Sequence, residues 1–156
     1  MTRLRARRLL HRFGQIDNRR RLMLVEAVVC LLAARLALVF VPFARLARYL
    51  GTFVPPADAR ALQARDKTSP DQARLAAEIG WAVTRSARYV PFKAVCLPQA
   101  MAARVMLKRR GVGSVLHFGA SGREKPFDAH AWLDAAGVEV TGYPQARDFA
   151  EIACFV

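Results

Sequence analysis

Two residues of this 156-residue sequence have the chemistry of a nucleophile and its base, Cys96 and His130. Cys96 stands at the predicted start of a helix, where Pro98 fits the first turn, and unpaired N–H groups at that end favour a thiolate. An imidazole titrates near neutral pH, so His130 can take the thiol proton and return it to a leaving amine. Brought together, the pair predicts acyl transfer through a covalent intermediate. The alternative for Cys96 is a small apolar core residue.

The other cysteines and histidines have plainer interpretations. Cys30 and Cys154 lie inside apolar stretches and are predicted to be core residues. His117 lies in the middle of a predicted strand, as a structural or surface residue, and His11 lies in an arginine-rich arm. Pairs with the close spacing of CxxC or HxxxH are absent from the sequence, so no metal site is expected.

The elements that must position the pair follow from turn and capping residues. Ser69 and Pro70 predict a helix start with a capping box completed by Gln72, and Pro91 ends that helix. A second helix precedes Gly111, and an Ala-Ala-Gly turn predicts a hairpin. Helices before strands predict an α+β fold with an antiparallel sheet. The expected ranges are helix 97–110 and strands 114–119, 129–134, 138–141 and 152–156.

Charge is concentrated in the first third of the chain. Lys and Arg number 25 against 12 acidic residues, a net charge of +13, and residues 1–50 hold 11 arginines against Asp17 and Glu26. A solvated helix face, nucleic acid and anionic lipid are the alternatives. Aromatic side chains for base stacking are absent before Phe13 and between it and Phe40, so no nucleic-acid partner is expected.

The apolar stretch 22–50 is interrupted by Glu26, Arg35 and Pro42. These residues argue against a signal peptide and against a membrane-spanning helix. The pattern predicts one or two amphipathic helices, broken near Pro42, that pack on the rest of the domain. Peripheral membrane contact through residues 1–50 is the alternative.

Length and cysteine content set the broad organisation. A chain of 156 residues predicts a single domain, with a helical half at 1–55 and a catalytic half at 56–156. Three widely spaced cysteines do not make a disulfide framework, so a reduced, cytoplasmic location is expected, with membrane association as the alternative.

Several motifs of the chain resemble one family. They are similar to the leader peptidases of lasso-peptide biosynthesis, transglutaminase-like cysteine peptidases known as the B protein, in its C-terminal-domain form. The arginine-rich apolar half at 20–50 also resembles the helical half of those proteins, so the likeness covers nearly the whole chain. The motifs are Cys96-Leu-Pro-Gln-Ala, 107–112 (LKRRGV), Ala129-His-Ala-Trp-Leu and 138–140 (VEV).

The resemblance implies a papain-like or transglutaminase-like fold, with Cys96 as nucleophile and His130 as general base. It implies hydrolysis of one peptide bond, which frees a core peptide from its leader before macrolactam closure. The implied partners are the precursor leader peptide, a separate leader-recognition protein and an ATP-using lasso cyclase. No cofactor is expected.

The sequence departs from that family at the third catalytic position. The family carries a carboxylate twelve residues after the histidine, and this chain has Gly142 there. Asp128 and Asp134 are weak substitutes, because Asp128 lies in a loop and Asp134 lies about 13 Å from His130 along the strand. Thr141 is weaker still. A backbone carbonyl or water that orients His130, a Cys–His dyad, and lost activity are the three alternatives.

The oxyanion hole has one natural donor, the backbone N–H of Cys96, and Gln99 is a candidate for the second. Two further function classes stay open beside the peptidase. One is a non-catalytic scaffold of the same fold that binds a leader or a cyclase, which Gly142 favours. The other is a basic membrane-surface protein in which Cys96 and His130 belong to the core.

Overall fold

The computed structural model describes residues 17–60, 69–121 and 128–156. Four helices, a short 3-10 helix and five strands lie in these ranges. Residues 1–16 of the arginine-rich arm, which include His11, lie outside the described residues. In chain order the elements are α1 (Asn18–Phe40), α2 (Phe43–Leu50), β1 (Phe53–Val54), α3 (Pro70–Ala87), α4 (Cys96–Lys108), β2 (Val115–Ser121), β3 (Asp128–Ala135), β4 (Val138–Thr141), the 3-10 helix (Gln145–Asp148) and β5 (Ala150–Phe155).

The apolar stretch forms two helices that Pro42 separates, as predicted, but the prediction that both are amphipathic is wrong for α1, whose exposed side chains from Leu22 to Phe40 are apolar. Proline has no N–H to continue a helix, and Pro42 is the N-cap residue of α2. One face of α1 is buried against α3 and α4. By length and composition α1 is also apolar enough to cross a membrane, a test that core helices and signal sequences pass as well.

Helix α3 begins as the sequence predicts but without the predicted capping box. Ser69 is the extended N-cap residue and Pro70 occupies the first turn, yet the Ser69 side chain makes no capping hydrogen bond. The fixed φ of Pro70 and the backbone bond from Ala73 N–H to Ser69 O are enough to start the helix. The inner side of the helix is buried at Ile79, Ala82 and Val83.

The five strands form one sheet in the order β1-β5-β2-β3-β4, and every pair is antiparallel. The predicted hairpin is present: Ala136 and Gly137 both have positive φ, at 49° and 73°, as a two-residue primed turn requires. The predicted α+β class with an antiparallel sheet is therefore confirmed, whereas the two-residue strand β1 was not predicted.

Helix α4 packs between α1 and the sheet, while α3 contacts β4 directly. It contacts α1, α3 and β3, and Ala100, Ala103 and Leu107 on its inner face are fully buried. Arg104 ties α4 to the sheet, because its Nη1 donates to Ser114 O at 2.7 Å and to Phe155 O at 3.1 Å. Burial lowers the pKa of Arg104 below its ordinary value.

Candidate functional site

Cys96 is the first residue of α4 and is half-buried. Val95 before it is extended and cannot supply a side-chain cap, so the first N–H groups of the helix are left to other acceptors. The side-chain amide of Gln99, the candidate for the second donor of the oxyanion hole, is already engaged in a hydrogen bond. Its Nε2 donates to Ala94 O at 2.6 Å and so fastens the segment that enters the helix.

His130 lies on β3 and its ring is held from three sides. It stacks on Phe149 at 4.9 Å and on Trp132 at 6.2 Å between ring centroids. Its Nε2 lies 2.7 Å from the carbonyl oxygen of Gly142. A carbonyl can only accept a hydrogen bond, so Nε2 carries the proton. In the neutral ring Nδ1 therefore has the free lone pair and is the atom able to take a proton.

The acceptor that orients His130 is the backbone of Gly142, the position at which the resemblance predicts a carboxylate. Among the three alternatives for what orients His130, the structure has the first, a backbone carbonyl. Asp134 contacts other groups instead, and Asp128 is exposed at the start of β3 and makes no hydrogen bond to His130 within the described residues. Thr141 is buried, and its Oγ1 has no hydrogen-bond partner in the described part of the chain.

Cys96 and His130 lie at the same end of neighbouring elements. Helix α4 runs back along β2 after a short connection, and Arg104 bonds at the start of β2. Cys96 lies eight residues earlier, about 12 Å along the helix axis. That distance corresponds to between three and four strand residues, which from Ser114 reaches the level of His117 and Phe118, one or two residues before Gly119. Gly119 is paired with His130.

The two groups nevertheless start on different sides of β3. Ala131 and Leu133 belong to the core cluster against which Cys96 packs, and side chains alternate along a strand. His130 is therefore on the side of Trp132, and in ranges 17–60, 69–121 and 128–156 the thiol and imidazole share no hydrogen bond. Strand β4 pairs only with residues 133–135 of β3, so the edge beside His130 is not covered by a ladder.

The second histidine of the sheet is a structural residue. His117 is fully buried, with Nδ1 2.5 Å from Glu151 Oε1 and Nε2 3.3 Å from Asp134 Oδ2. Tyr143 donates its hydroxyl to the other oxygen of Asp134 at 2.6 Å. Sequence reasoning missed Glu151, which lies outside the predicted strand 152–156. A glutamate one residue before an apolar strand was the available signal.

One group of side chains has the atoms of a metal site. Nitrogen of His117, oxygen of Glu151 and sulfur of Cys154 lie within 4.8 Å of one another. Hydrogen bonds account for this arrangement, because His117 bonds to Glu151 and the Cys154 thiol lies 3.6 Å from Val54 O. The residues could hold a cation such as Zn²⁺, which takes such N, O and S ligands.

The three cysteines differ in their surroundings. Burial raises the pKa of the Cys30 thiol, and the charge of Glu26 raises it further. Cys154 is fully buried between strands. Cys96 is left as the half-buried thiol at a helix N-terminus, which is where a reactive cysteine is expected.

Comparison with known proteins identifies the family of the fold around these residues. The sequence model of the transglutaminase-like superfamily matches residues 37–154, which include Cys96, His130 and all strands except the end of β5. No curated protein and no solved structure matches the chain. Because the match covers more than half of the sequence, the chain belongs to the transglutaminase-like superfamily.

Proposed function

We propose that this protein is a cysteine peptidase that removes the leader from a ribosomally made lasso-peptide precursor. The observation that carries the peptidase part is His130 held with Nε2 on the Gly142 carbonyl, at the same end of the sheet as a cysteine that begins a helix. Superfamily membership is compatible with cysteine-peptidase chemistry. The lasso-peptide part rests on the resemblance of the Cys96 and His130 motifs.

The proposed reaction has two steps. Nδ1 of His130 takes the proton of the Cys96 thiol, and the sulfur attacks the carbonyl carbon of the scissile peptide bond. The backbone N–H of Cys96 stabilises the oxyanion that forms. His130 then gives the proton to the leaving amine, and the acyl group stays on sulfur as a thioester. Water, activated by the same ring, hydrolyses the thioester and frees the thiol.

The proposed mechanism requires His130 to move. Its ring must turn around the open edge of β3 toward the start of α4 while Nε2 keeps the Gly142 carbonyl within reach. Catalytic hydrogen bonds are often absent or long before substrate binds, so the starting geometry does not exclude this step. A bound peptide at that edge would have to bring the two groups together.

A cleavage assay tests the proposal. The substrate is a synthetic lasso-peptide precursor with its leader, incubated with and without a lasso leader-recognition protein and followed by mass spectrometry. We expect cleavage at one bond by the native protein and by Cys30→Ala, and none by Cys96→Ala with an unchanged circular dichroism spectrum. Cleavage by Cys96→Ala at the native rate would refute the nucleophile assignment.

A thiol-directed alkylating probe gives a test that needs no substrate. Cys96 is expected to react before Cys30, whose pKa is raised by burial, and before the buried Cys154. Peptide mapping after brief labelling at pH 7 gives the order. Equal labelling of Cys96 and Cys30 would contradict an activated thiol.

A second candidate is a non-catalytic scaffold of the same fold that binds a leader peptide or a cyclase. Two observations favour it: position 142 lacks a carboxylate, and His130 lies on the side of β3 away from α4. A scaffold would bind the leader peptide in a fluorescence-anisotropy titration and leave it uncut. His130→Ala would then leave the dissociation constant unchanged.

A further inference from the structure

We propose that the outward face of α1 lies on the surface of a membrane that contains anionic lipid. From Leu22 to Phe40, every exposed side chain of this helix is apolar, over about 27 Å of helix. Leu22 is 72% exposed, Val29 60% and Phe40 77%. The exposed residues of this outward face are Leu22, Val25, Val28, Val29, Leu32, Ala33, Leu36, Val39 and Phe40.

Such a face needs a partner, because a helix that is apolar on all sides is normally buried on all sides. The family match begins at residue 37, so most of the outward face lies outside the region that the superfamily model covers. The face is also too continuous for the scattered apolar residues of an ordinary surface.

The opposite face of α1 fixes the helix to the protein, so α1 is expected to lie flat on the membrane and not to cross it. Met23, Ala27 and Leu31 are buried in the core. Glu26 bonds to Arg110 at the end of α4, with Nη1 3.1 Å from Oε1. A spanning helix would have to give up these contacts.

The charges around the face select an anionic surface. Arg45 and Arg48 are exposed on α2, directly after the end of the face, and have no ion-pair partner in the described ranges. Arg19 and Arg20 contribute less, because they turn toward α3, where Arg19 pairs with Glu78 and Arg20 lies over the Trp81 ring. Basic side chains near an anionic bilayer are attracted to it, and salt screens that attraction.

The same charges oppose a second copy of this chain as the occupant. Residues 1–50 carry 11 arginines and two acidic residues, so joining two outward faces would bring two strongly basic segments together. An acidic protein surface would match the charge too. A row of valine, leucine and phenylalanine with one half-buried arginine, Arg35, at its edge suits lipid chains and their headgroups better than a polar interface rim.

Vesicle flotation with the full chain tests the proposal. Vesicles of phosphatidylcholine alone are compared with vesicles holding 30% phosphatidylglycerol, at low and at high salt. We expect at least tenfold more protein on the anionic vesicles at low salt, falling steeply as salt rises. The double variant Val29→Asp/Leu36→Asp is expected to lose at least nine-tenths of this binding.

Val105→Asp is the matched control, since Val105 is 49% exposed on α4, away from the outward face. It should bind vesicles as the native protein does, and circular dichroism checks that both variants fold. Several results would overturn the proposal: equal loss in both variants, native binding by the double variant, retention after a carbonate wash, or a dimer in light scattering that the double variant abolishes. Cleavage activity of the double variant in vesicle-free solution should equal the native value, which separates this proposal from the peptidase assignment.

Discussion

The carbonyl oxygen of Gly142 lies 2.7 Å from Nε2 of His130, at the position where the resemblance to leader peptidases predicts a carboxylate. A neutral acceptor fixes the tautomer and the direction of the ring as a carboxylate would. It stabilises the imidazolium less, because hydrogen bonds between charged groups are about twice as strong as neutral ones. The Gly142 backbone therefore supplies the acceptor that orients His130, but it does not supply the negative charge of a carboxylate.

Introducing a carboxylate at position 142 should destabilise the folded protein. Gly142 has φ +91°, and a Cβ there would lie 2.6 Å from Cβ of Trp132 and 2.8 Å from Ala131 O. We expect Gly142→Asp to lose about 2–3 kcal/mol of unfolding free energy, from strain and overlap together. Urea unfolding followed by circular dichroism measures the loss, and cleavage should fall with it.

Gly111 provides the control that separates strain from overlap. It also has a positive φ, +70°, but a Cβ there meets nothing within 4 Å. Gly111→Asp should therefore cost about 1 kcal/mol, from backbone strain alone. A Gly142→Asp variant as stable as Gly111→Asp, or more active than the native protein, would show that the backbone at residue 142 adapts.

Replacing the proposed base, His130, should remove the proposed cleavage activity without unfolding the protein. His130 is only half-buried, so His130→Ala should fold and leave a small gap beside Phe149. A general base typically raises the rate about 10²–10⁴-fold, so we expect kcat to fall by at least about 10²-fold. The measurement is single-turnover cleavage. Retention of more than a tenth of native kcat would exclude His130 as the base.

The helices and the hairpin were predictable because local signals encode them. Pro42, Pro70 and Gly111 mark helix boundaries through backbone restrictions that act within a turn. The pair Ala136 and Gly137 closes the hairpin in the same local way.

The arrangement of the site was not predictable from such signals. Which face of β3 carries His130 depends on the side on which the helices pack, and a one-residue shift in the strand would reverse it. The role of the Gly142 carbonyl depends on backbone geometry, which the residue types in the sequence do not indicate. The contact between His117 and Glu151 joins residues 34 positions apart, at a register set by an irregularity between β2 and β5.

The buried His117 should be a strong determinant of stability. It lies between the carboxylates of Glu151 and Asp134. His117→Leu leaves both carboxylates facing an apolar residue, and removal of one partner from such a buried cluster costs about 3–5 kcal/mol. Thermal and urea unfolding measure the loss.

A double-variant cycle checks the cause. His117→Leu/Glu151→Leu removes a carboxylate along with its partner, so we expect it to be less destabilised than the sum of the two single variants. Additive losses would show that the contact between the two side chains contributes nothing, and that His117 acts only by filling space.

The ion pair between Glu26 of α1 and Arg110, just after the end of α4, should make the stability of the protein depend on pH. The hydrogen bond from Arg110 lowers the pKa of Glu26, against the opposing effect of burial, and Arg109 adds to the lowering. A carboxylate whose pKa is depressed in the folded state stabilises it above the pKa of the unfolded chain, about 4.3. That stabilisation is lost as pH falls through the lower folded value.

Glu26→Gln should therefore cost about 0.5–1 kcal/mol at pH 7, and the difference from the native protein should shrink as the pH falls below 4. Urea unfolding at a series of pH values measures this difference. Glu139→Gln is the matched control, because Glu139 pairs with Arg147 at 3.1 Å with both side chains about half exposed or more. It should change stability by less than about 0.3 kcal/mol at any pH. An equal effect of the two substitutions, or one for Glu26→Gln that persists in acid, would mean that the bond to Arg110 does not hold α1 in place.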